Sequence, residues 1–382
     1  LTRIMLASPV FFGISAILGS ALNARRHFLL PGLAPIVYNL SITGGALFLS
    51  RYIGIEGVAW GVTAGSLAHL LVQVPGLRRQ GMVYHLIFSI SNPGVREVGR
   101  LMGPRVLGLA AIQVNFLVTT ALASKLASYS IPALNYAWML MLLPLGLFAI
   151  AISSAVFPTL AEKAAQEMGE SMRQTIYVTL KMILFLTIPA SVGLIVLGRP
   201  LIGLLFQRGL FDELSAQATY GALVFYAIGL FGHGMVEILT RAFYANHDTR
   251  TPVIIGIGAM ALNIGLSLVL MGPLGHGGLA LSVSLAAIME AILLFRAITR
   301  RFGQQTSSAL GPSLVRTCLA AALMGAALLA LRVWVPVPGT TIGLGIYLAA
   351  SIAIGAVLFL ITAYLLGSQE VRLLRAGLIS RG

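Results

Sequence analysis

The sequence predicts an all-α, polytopic transmembrane helix bundle. Three observations predict it: eleven long apolar segments, basic residues gathered into alternate connections, and a pattern that returns after 221 residues. A bilayer core takes roughly 20 apolar residues per helix. A mean hydropathy of +0.94 with 9% charged residues fits no soluble class.

In order, the first three segments fall near 5–23, 33–50 and 57–75. A linker at 76–100 follows, with Asn92-Pro93-Gly94 as its turn and Arg96, Glu97 and Arg100 beyond it, read as amphipathic and interfacial. Segments near 101–124 and 131–155 come next. Residues 156–176 carry Pro158, Glu162, Lys163, Glu167, Glu170 and Arg173, and read as a short polar helix at the membrane surface. Four more segments lie near 177–198, 216–240, 251–271 and 277–296. A basic, Ser/Gln-rich loop at 297–312 leads to the last two, 313–334 and 341–366, and a basic tail. Pro144 and Pro189 fall mid-segment, where a missing N–H donor favours a kink.

Charge gives the orientation. One set of alternate connections, with the tail, holds 18 of the 25 Lys and Arg residues, including Arg25, Arg78, Arg79, Arg250, Arg300 and Arg301. The opposite set holds six: Arg3, Arg51, Lys125, Arg199, Arg208 and Arg332. Arg105 lies inside a segment. The rich side is expected to be cytoplasmic, which places Leu1 outside and the C-terminus inside. The net charge of +14 is then a topology signal. A nucleic-acid partner would call for a basic stripe on a soluble domain, and the sequence has none.

The repeat aligns 22–75 with 243–296. Ala24 meets Ala245, Pro31 meets Pro252, Gly57 meets Gly278, and the ladder Gly57, Gly61, Gly65 returns as Gly278, Ser282, Ala286. Extending the offset back from residue 101 places the start of a first copy about 120 residues before Leu1. The expectation is therefore an N-terminally truncated piece of a fourteen-helix protein with two parallel pseudo-repeated lobes. Residues 1–75 would be the last three helices of the first lobe and 76–100 the linker. Residues 101–296 would be a complete six-helix second lobe, and 297–382 a basic loop, two additional helices and a cytoplasmic tail. Parallel repeats are a transporter architecture, with substrate held between lobes.

Enzyme signatures are missing: there is no His-Glu-x-x-His, Cys-x-x-Cys, Gly-x-Ser-x-Gly or phosphate-binding Gly-rich loop. Six scattered His residues suggest no metal cluster and no cofactor is expected. Cys318, alone in an apolar helix, reads as a buried, inert thiol. Polar groups inside membrane segments are the better lead, because burying them is costly. Arg105 either meets an anionic head group or snorkels to the interface. Glu237 and Arg241 share a helical face four residues apart and form either a structural pair or a gate. Glu290, whose repeat mate is His69, either lines a cavity and couples to protons or hydrogen-bonds a neighbouring helix. Gln113, Asn115, Asn135 and Tyr136 either join helices or line a cavity.

Several stretches resemble the MurJ/MviN family of lipid II flippases, in the multidrug/oligosaccharidyl-lipid/polysaccharide exporter superfamily. They are Ser8 to Gly13 (SPVFFG), Pro31 to Asn39 (PGLAPIVYN), Pro93 to Val98 (PGVREV) and Leu101 to Leu109 (LMGPRVLGL). Leu134 to Ala137 (LNYA), Pro144 to Phe148 (PLGLF), Arg241 to Ala245 (RAFYA), Asp248 to Pro252 (DTRTP) and Gly275 to Leu279 (GHGGL) continue the likeness. It covers about 1–300. It implies fourteen helices in the bacterial cytoplasmic (inner) membrane. The substrate it implies is lipid II, an undecaprenyl-pyrophosphate-linked disaccharide-pentapeptide, moved to the outer leaflet for peptidoglycan synthesis. A cationic cavity would bind the pyrophosphate, for which the planar fork of Arg is suited.

The chain departs from the family at three places. Trp138 and Met139 follow Ala137 where the family motif continues Asp-Arg; Thr119 stands at a common Asp; Glu237 stands at a frequent Lys. Cavity cations would then come from Arg105, Arg241 or helices outside this chain, and Trp138 would either stack on a sugar or pack. The leading expectation is a lipid II flippase, with no enzyme activity, driven by a coupling ion or potential that the sequence does not name. One alternative is an exporter of another polyprenyl-linked glycan or amphiphile on the same fold. A second is a non-transporting scaffold for cell-wall enzymes.

Overall fold

The computed structural model describes residues 1–25, 27, 29–79, 93–166, 168–302 and 310–371. All regular structure among them is helical. The chain divides into two compact units, Leu1–Glu97 and Val98–Gly382.

In the first unit, α1 (Thr2–Met5) and α2 (Ala7–Ala24) form one nearly continuous rod. α3 (Leu29–Gly44) passes through a π-helical turn, Gly45–Leu49, into α4 (Ser50–Ile53). α5 (Ile55–Leu71) returns antiparallel, and α6 (Val74–Arg79) is short. The second unit takes in most of α7 (Pro93–Ala123). α8 (Ser130–Pro144), a π-helical turn Leu145–Ile150, and α9 (Ala151–Ala165) run end to end. α10 (Gly169–Phe206) and α11 (Glu213–Ala245) form its most buried layer. α12 (Arg250–Phe302) is two arms meeting at Gly275, and α13 (Leu310–Trp334) and α14 (Thr341–Leu365) follow.

Among the described residues, nine helices are long and apolar enough to cross a bilayer, with α12 taken as one of them. Its two arms and α7 bring the helices in line with the eleven apolar segments. The ends differ from expectation. Pro93-Gly94, expected as a turn, opens α7 instead; proline suits the first helical position, where its missing N–H costs nothing. Residues 156–165, expected in a separate surface helix, are the last turns of the rod that begins at Ser130. Hydropathy marks only the apolar stretch, and a helix continues into water wherever its side chains allow. A π-helical turn follows Pro144 directly, whereas α10 stays α-helical through Pro189 and Pro200.

The repeat is visible atom by atom. Gly54 and Gly275, 221 residues apart, turn their hairpins at φ 61°, ψ −141° and φ 57°, ψ −136°. A side chain is strained at such angles. Past each turn the returning helix presses against the outgoing one. A Cβ on Gly57 would lie 2.5 Å from the carbonyl carbon of Leu49, and one on Gly278 would lie 2.5 Å from that of Leu270. Thr63 Oγ1 donates to the carbonyl of Ile4 at 2.9 Å, and Ser284 Oγ donates to that of Phe225 at 2.7 Å. Each residue in the second set is its counterpart in the first plus the same offset, so the repeat extends further back than the aligned sequence did.

The second unit buries two apolar clusters. One joins α8 to α12, with Leu140, Met141, Leu180, Leu223 and Leu294 at its centre. The other packs α10 against α13 and α14 through Phe185, Leu197, Ala321, Leu328 and Phe359. Cys318, expected to be buried, is exposed on α13. That helix buries Thr317, Ala320, Ala321 and Met324, and residue 318 lies a third of a turn away from their stripe.

Candidate functional site

The second unit has two polar ends and a sparsely polar middle. At one end, Lys163 Nζ donates to Thr175 Oγ1 at 2.6 Å, joining α9 to α10. Asp248 Oδ1 accepts the N–H of Thr251 at 3.0 Å and caps the first arm of α12. Its Oδ2 meets Arg301 at 3.1 Å at the far end of the second arm, so one carboxylate ties both arms together. The Thr251 N–H bond is the largest influence holding the Asp248 carboxyl below its ordinary range; the Thr251 hydroxyl and Arg301 add to it against the opposing effect of burial.

Glu237 and Arg241 lie on α11 near this end. Arg241 forms an ion pair with Glu237, and its Nη1 also donates to the Glu237 carbonyl at 2.9 Å. Its Nη2 donates to Ser154 Oγ on α9 at 3.3 Å. The Glu237 and Arg241 side chains are 31% and 23% exposed. Arg241 therefore bridges α11 to α9.

In the middle, Asn263 Nδ2 donates to Asn115 Oδ1 at 2.8 Å, joining the first arm of α12 to α7. Ser267 Oγ extends the chain to Asn263 Oδ1 at 3.5 Å. Asn263 is 2% exposed and Ser267 1%. Glu290 is half-buried on the second arm of α12, where a Cβ on Gly256 of the first arm would come within 3.4 Å of its Oε1. Trp138 packs edge-on against Tyr226 and His233 of α11, with ring centres 5.3 and 5.5 Å away.

The candidates with described side chains do not converge. Tyr136 sits at the opposite end from Arg241, against Phe206 and Phe211 at 4.7 and 5.2 Å. Asn135 and Gln113 are exposed on their helices. Arg105 lies on α7, but its side chain is outside the described residues. Among the described candidates, Glu237 and Arg241 are the two joined by an ion pair. Ser154, Asn263 and Ser267 were not singled out from sequence. Asn263 carried the needed signal, an amide in the middle of an apolar segment. The first unit holds a further polar set: Gln73 Nε2 donates to Ser15 Oγ at 2.7 Å, and Ser15 Oγ lies 2.7 Å from His69 Nδ1.

Repeated hairpins of membrane-crossing length, sealed by glycine contacts and threaded by a few polar crossings, define a multi-pass α-helical membrane protein. Comparison with known proteins makes the assignment specific. The family model described as "Lipid II flippase MurJ" matches residues 1–370, and the chain belongs to that family. It is 33% identical over 336 residues to "Probable lipid II flippase MurJ" of Haemophilus influenzae, covering 86% of this chain and 65% of that protein. It is 30% identical over 307 residues to "Lipid II flippase MurJ" of Burkholderia cenocepacia, covering 79% of this chain and 60% of that protein. The chain thus spans under two thirds of the length of these two curated relatives. A solved structure described as "Lipid II flippase MurJ, inward closed conformation" superposes with a TM-score of 0.79 at 26% identity, covering 95% of this chain and 72% of that one.

Proposed function

We propose that the protein moves lipid II from the cytoplasmic to the outer leaflet of the bacterial inner membrane by alternating access, and does so without covalent chemistry. The observation that carries this reading is the family match across 1–370. Orientation follows from charge. The end bearing Lys163, Arg250 and Arg301 is cytoplasmic, Leu1 is outside and the C-terminus is inside.

In this reading Arg241 is the second unit's cation for the pyrophosphate, with Arg105 as a second candidate on α7. A phosphate oxygen is a stronger acceptor than the Ser154 hydroxyl and competes with Glu237 for the same guanidinium. Substrate arrival then loosens the Arg241 tie between α11 and α9, which makes the pair a gate responsive to substrate. Glu290 is the coupling candidate, because it is the carboxylate set furthest into the apolar region of α12. Asn115 is assigned to the crossing with Asn263 and Trp138 to packing. Gln113, Asn135 and Tyr136 remain cavity candidates, with Tyr136 serving only the outer end.

One observation favours a second reading, the transport of a different polyprenyl-linked glycan. Met139 stands where the family motif has Arg, and it is 58% exposed among the described residues. The test is growth rescue of a flippase-depleted bacterium by the complete gene. Rescue by wild type, loss with Glu237→Arg or Arg241→Glu alone, and recovery when the two are swapped would support lipid II transport through this gate. Failure of the wild type, correctly inserted, would favour the other glycan.

A further inference from the structure

Polar side chains meet inside the first unit at a place the reading above does not use. Ser15 on α2 faces His69 on α5 and Gln73 just past its end; Ser15 and Gln73 are each 1% exposed. Gln73 Nε2 donates to Ser15 Oγ at 2.7 Å and to the His69 carbonyl at 3.2 Å. That carbonyl needs a donor, which sets the amide with its nitrogen on this side. Gln73 Oε1 then lies buried against Gly19, where a Cβ would come within 3.0 Å, and it accepts no bond from the other described residues. The hairpin does not require this set. At the offset of 221, the second unit carries Val236, Glu290 and Leu294 in place of Ser15, His69 and Gln73, and Thr240 in place of Gly19. A buried polar set present in one copy of a repeated scaffold, inside a span where burial is costly, points to a role beyond packing.

The bonds allow His69 two protonation states without moving a heavy atom. Ser15 Oγ lies 2.7 Å from His69 Nδ1 and 3.4 Å from the His69 carbonyl. With the ring neutral, the hydroxyl donates to Nδ1 and the ring proton sits on Nε2. With the ring protonated, Nδ1–H donates to Ser15 Oγ and the hydroxyl turns to the carbonyl. A hydroxyl has one proton to give and two lone pairs, which Gln73 and His69 then fill. What the charged ring lacks is a counter-ion. Glu56 is the only carboxylate side chain of residues 1–79, and it lies at the start of α5, about 20 Å along the helix from His69. Arg51 and Tyr52 flank the Gly54 turn beside it, and Arg3 lies on α1, whose Ile4 carbonyl meets Thr63. α2 carries no ionisable side chain. Tyr38 of α3 packs on Phe12, which packs on the His69 ring, at 5.0 and 5.2 Å between ring centres. Arg25 follows α2, and α6 ends in Arg78 and Arg79, whose side chains lie outside the described residues.

We propose that His69 is a proton-binding site, with Ser15 as the hydroxyl that reverses its bond, and that proton uptake loosens the packing of α2 on α5. An imidazolium buried without a carboxylate is costly. The charged form therefore favours the conformation that admits water to the ring, and Gln73 Oε1 offers that water an acceptor. In the orientation proposed above, the site lies toward the cytoplasmic end of α5. It adds a proton-responsive step to alternating access and does not depend on which lipid-linked cargo is carried.

The test is hydrogen–deuterium exchange of the complete protein in detergent at about pH 5 and about pH 8, the range over which histidine changes charge. Rates are corrected for the intrinsic pH dependence of exchange, and peptides covering 12–19 and 66–73 are followed. Wild type should exchange severalfold faster in these peptides at the lower pH. In His69→Asn the side-chain oxygen can accept the Ser15 hydroxyl much as Nδ1 does, but it takes up no proton, so the pH difference should vanish. Ser15→Ala removes the acceptor for the charged ring and should enlarge the difference. Histidine 15N NMR gives a second readout: the ring signal missing from His69→Asn should show a proton-free Nδ1 at the higher pH and two N–H groups at the lower. Equal corrected exchange at both pH values in wild type, a pH difference that persists in His69→Asn, or a His69 ring that keeps a single proton throughout would each overturn the proposal. Neither readout requires transport, so a failed rescue of lipid II movement would leave this test standing.

Discussion

Gly278→Ala should be among the most damaging small substitutions in this chain. The added Cβ would sit 2.2 Å from the Leu270 carbonyl oxygen and 2.5 Å from its carbon. Both are backbone atoms, so no side chain can rotate away. Ordinary C···O contact begins near roughly 3.3 Å, so the two arms of α12 must part by about 1 Å. Overpacking of this kind costs about 1–3 kcal/mol, and here it also disturbs the Ser284 bond to Phe225. Gly57→Ala repeats the clash against Leu49 in the first unit and should act in the same direction. Gly258→Ala is the control, because nothing lies within 4 Å of its Cβ. Thermal unfolding in detergent, followed by helical circular dichroism, is the assay. Both clashing variants should unfold at lower temperature, and the control should match or exceed wild type. A wild-type transition in Gly278→Ala would refute the claim that the hairpins are sealed by backbone contact.

Replacing Asn263 with Leu should lower stability by about 0.6 kcal/mol, a typical value for one hydrogen bond between membrane helices. Asn115→Leu on that background should add little more, which a double-mutant cycle in detergent would check. Asp248→Ala should cost about 1 kcal/mol as a lost helix cap. The folded protein holds this carboxyl below its ordinary value of 3.8, so the stabilisation is present above that value and fades as pH falls through the lower folded one. Wild type and Asp248→Ala should therefore converge in acid, as unfolding measured against pH would show. Cys318 should react with a small, lipid-soluble maleimide in the folded protein, because it is exposed rather than buried; protection would contradict its placement on α13.

The architecture was legible because hydropathy and charge report directly on solvent. Each apolar run long enough for a bilayer became a helix, and the glycines at 54 and 275 fell at matching hairpin turns. Helix ends were less legible, because α7 and α10 begin in polar sequence that carries no periodic apolar signal. The candidate site was legible only in its local part. Glu237 and Arg241 are four residues apart, so helical geometry alone pairs them. Asn115 and Asn263 are 148 residues apart, and nothing in either segment names the other. Exposure was not legible for Cys318 or Met139, since a bilayer rewards apolar side chains on both faces of a span.

The most direct test of the account is outer-leaflet lipid II itself. The native flippase would be depleted in a bacterium, the complete gene expressed, and externally accessible lipid II quantified in intact cells. The account predicts restored outer-leaflet lipid II with wild type, a loss with Arg241→Ala, and recovery in the Glu237–Arg241 swap. Wild-type protein that is present and correctly inserted, yet leaves lipid II on the inner leaflet, would contradict it.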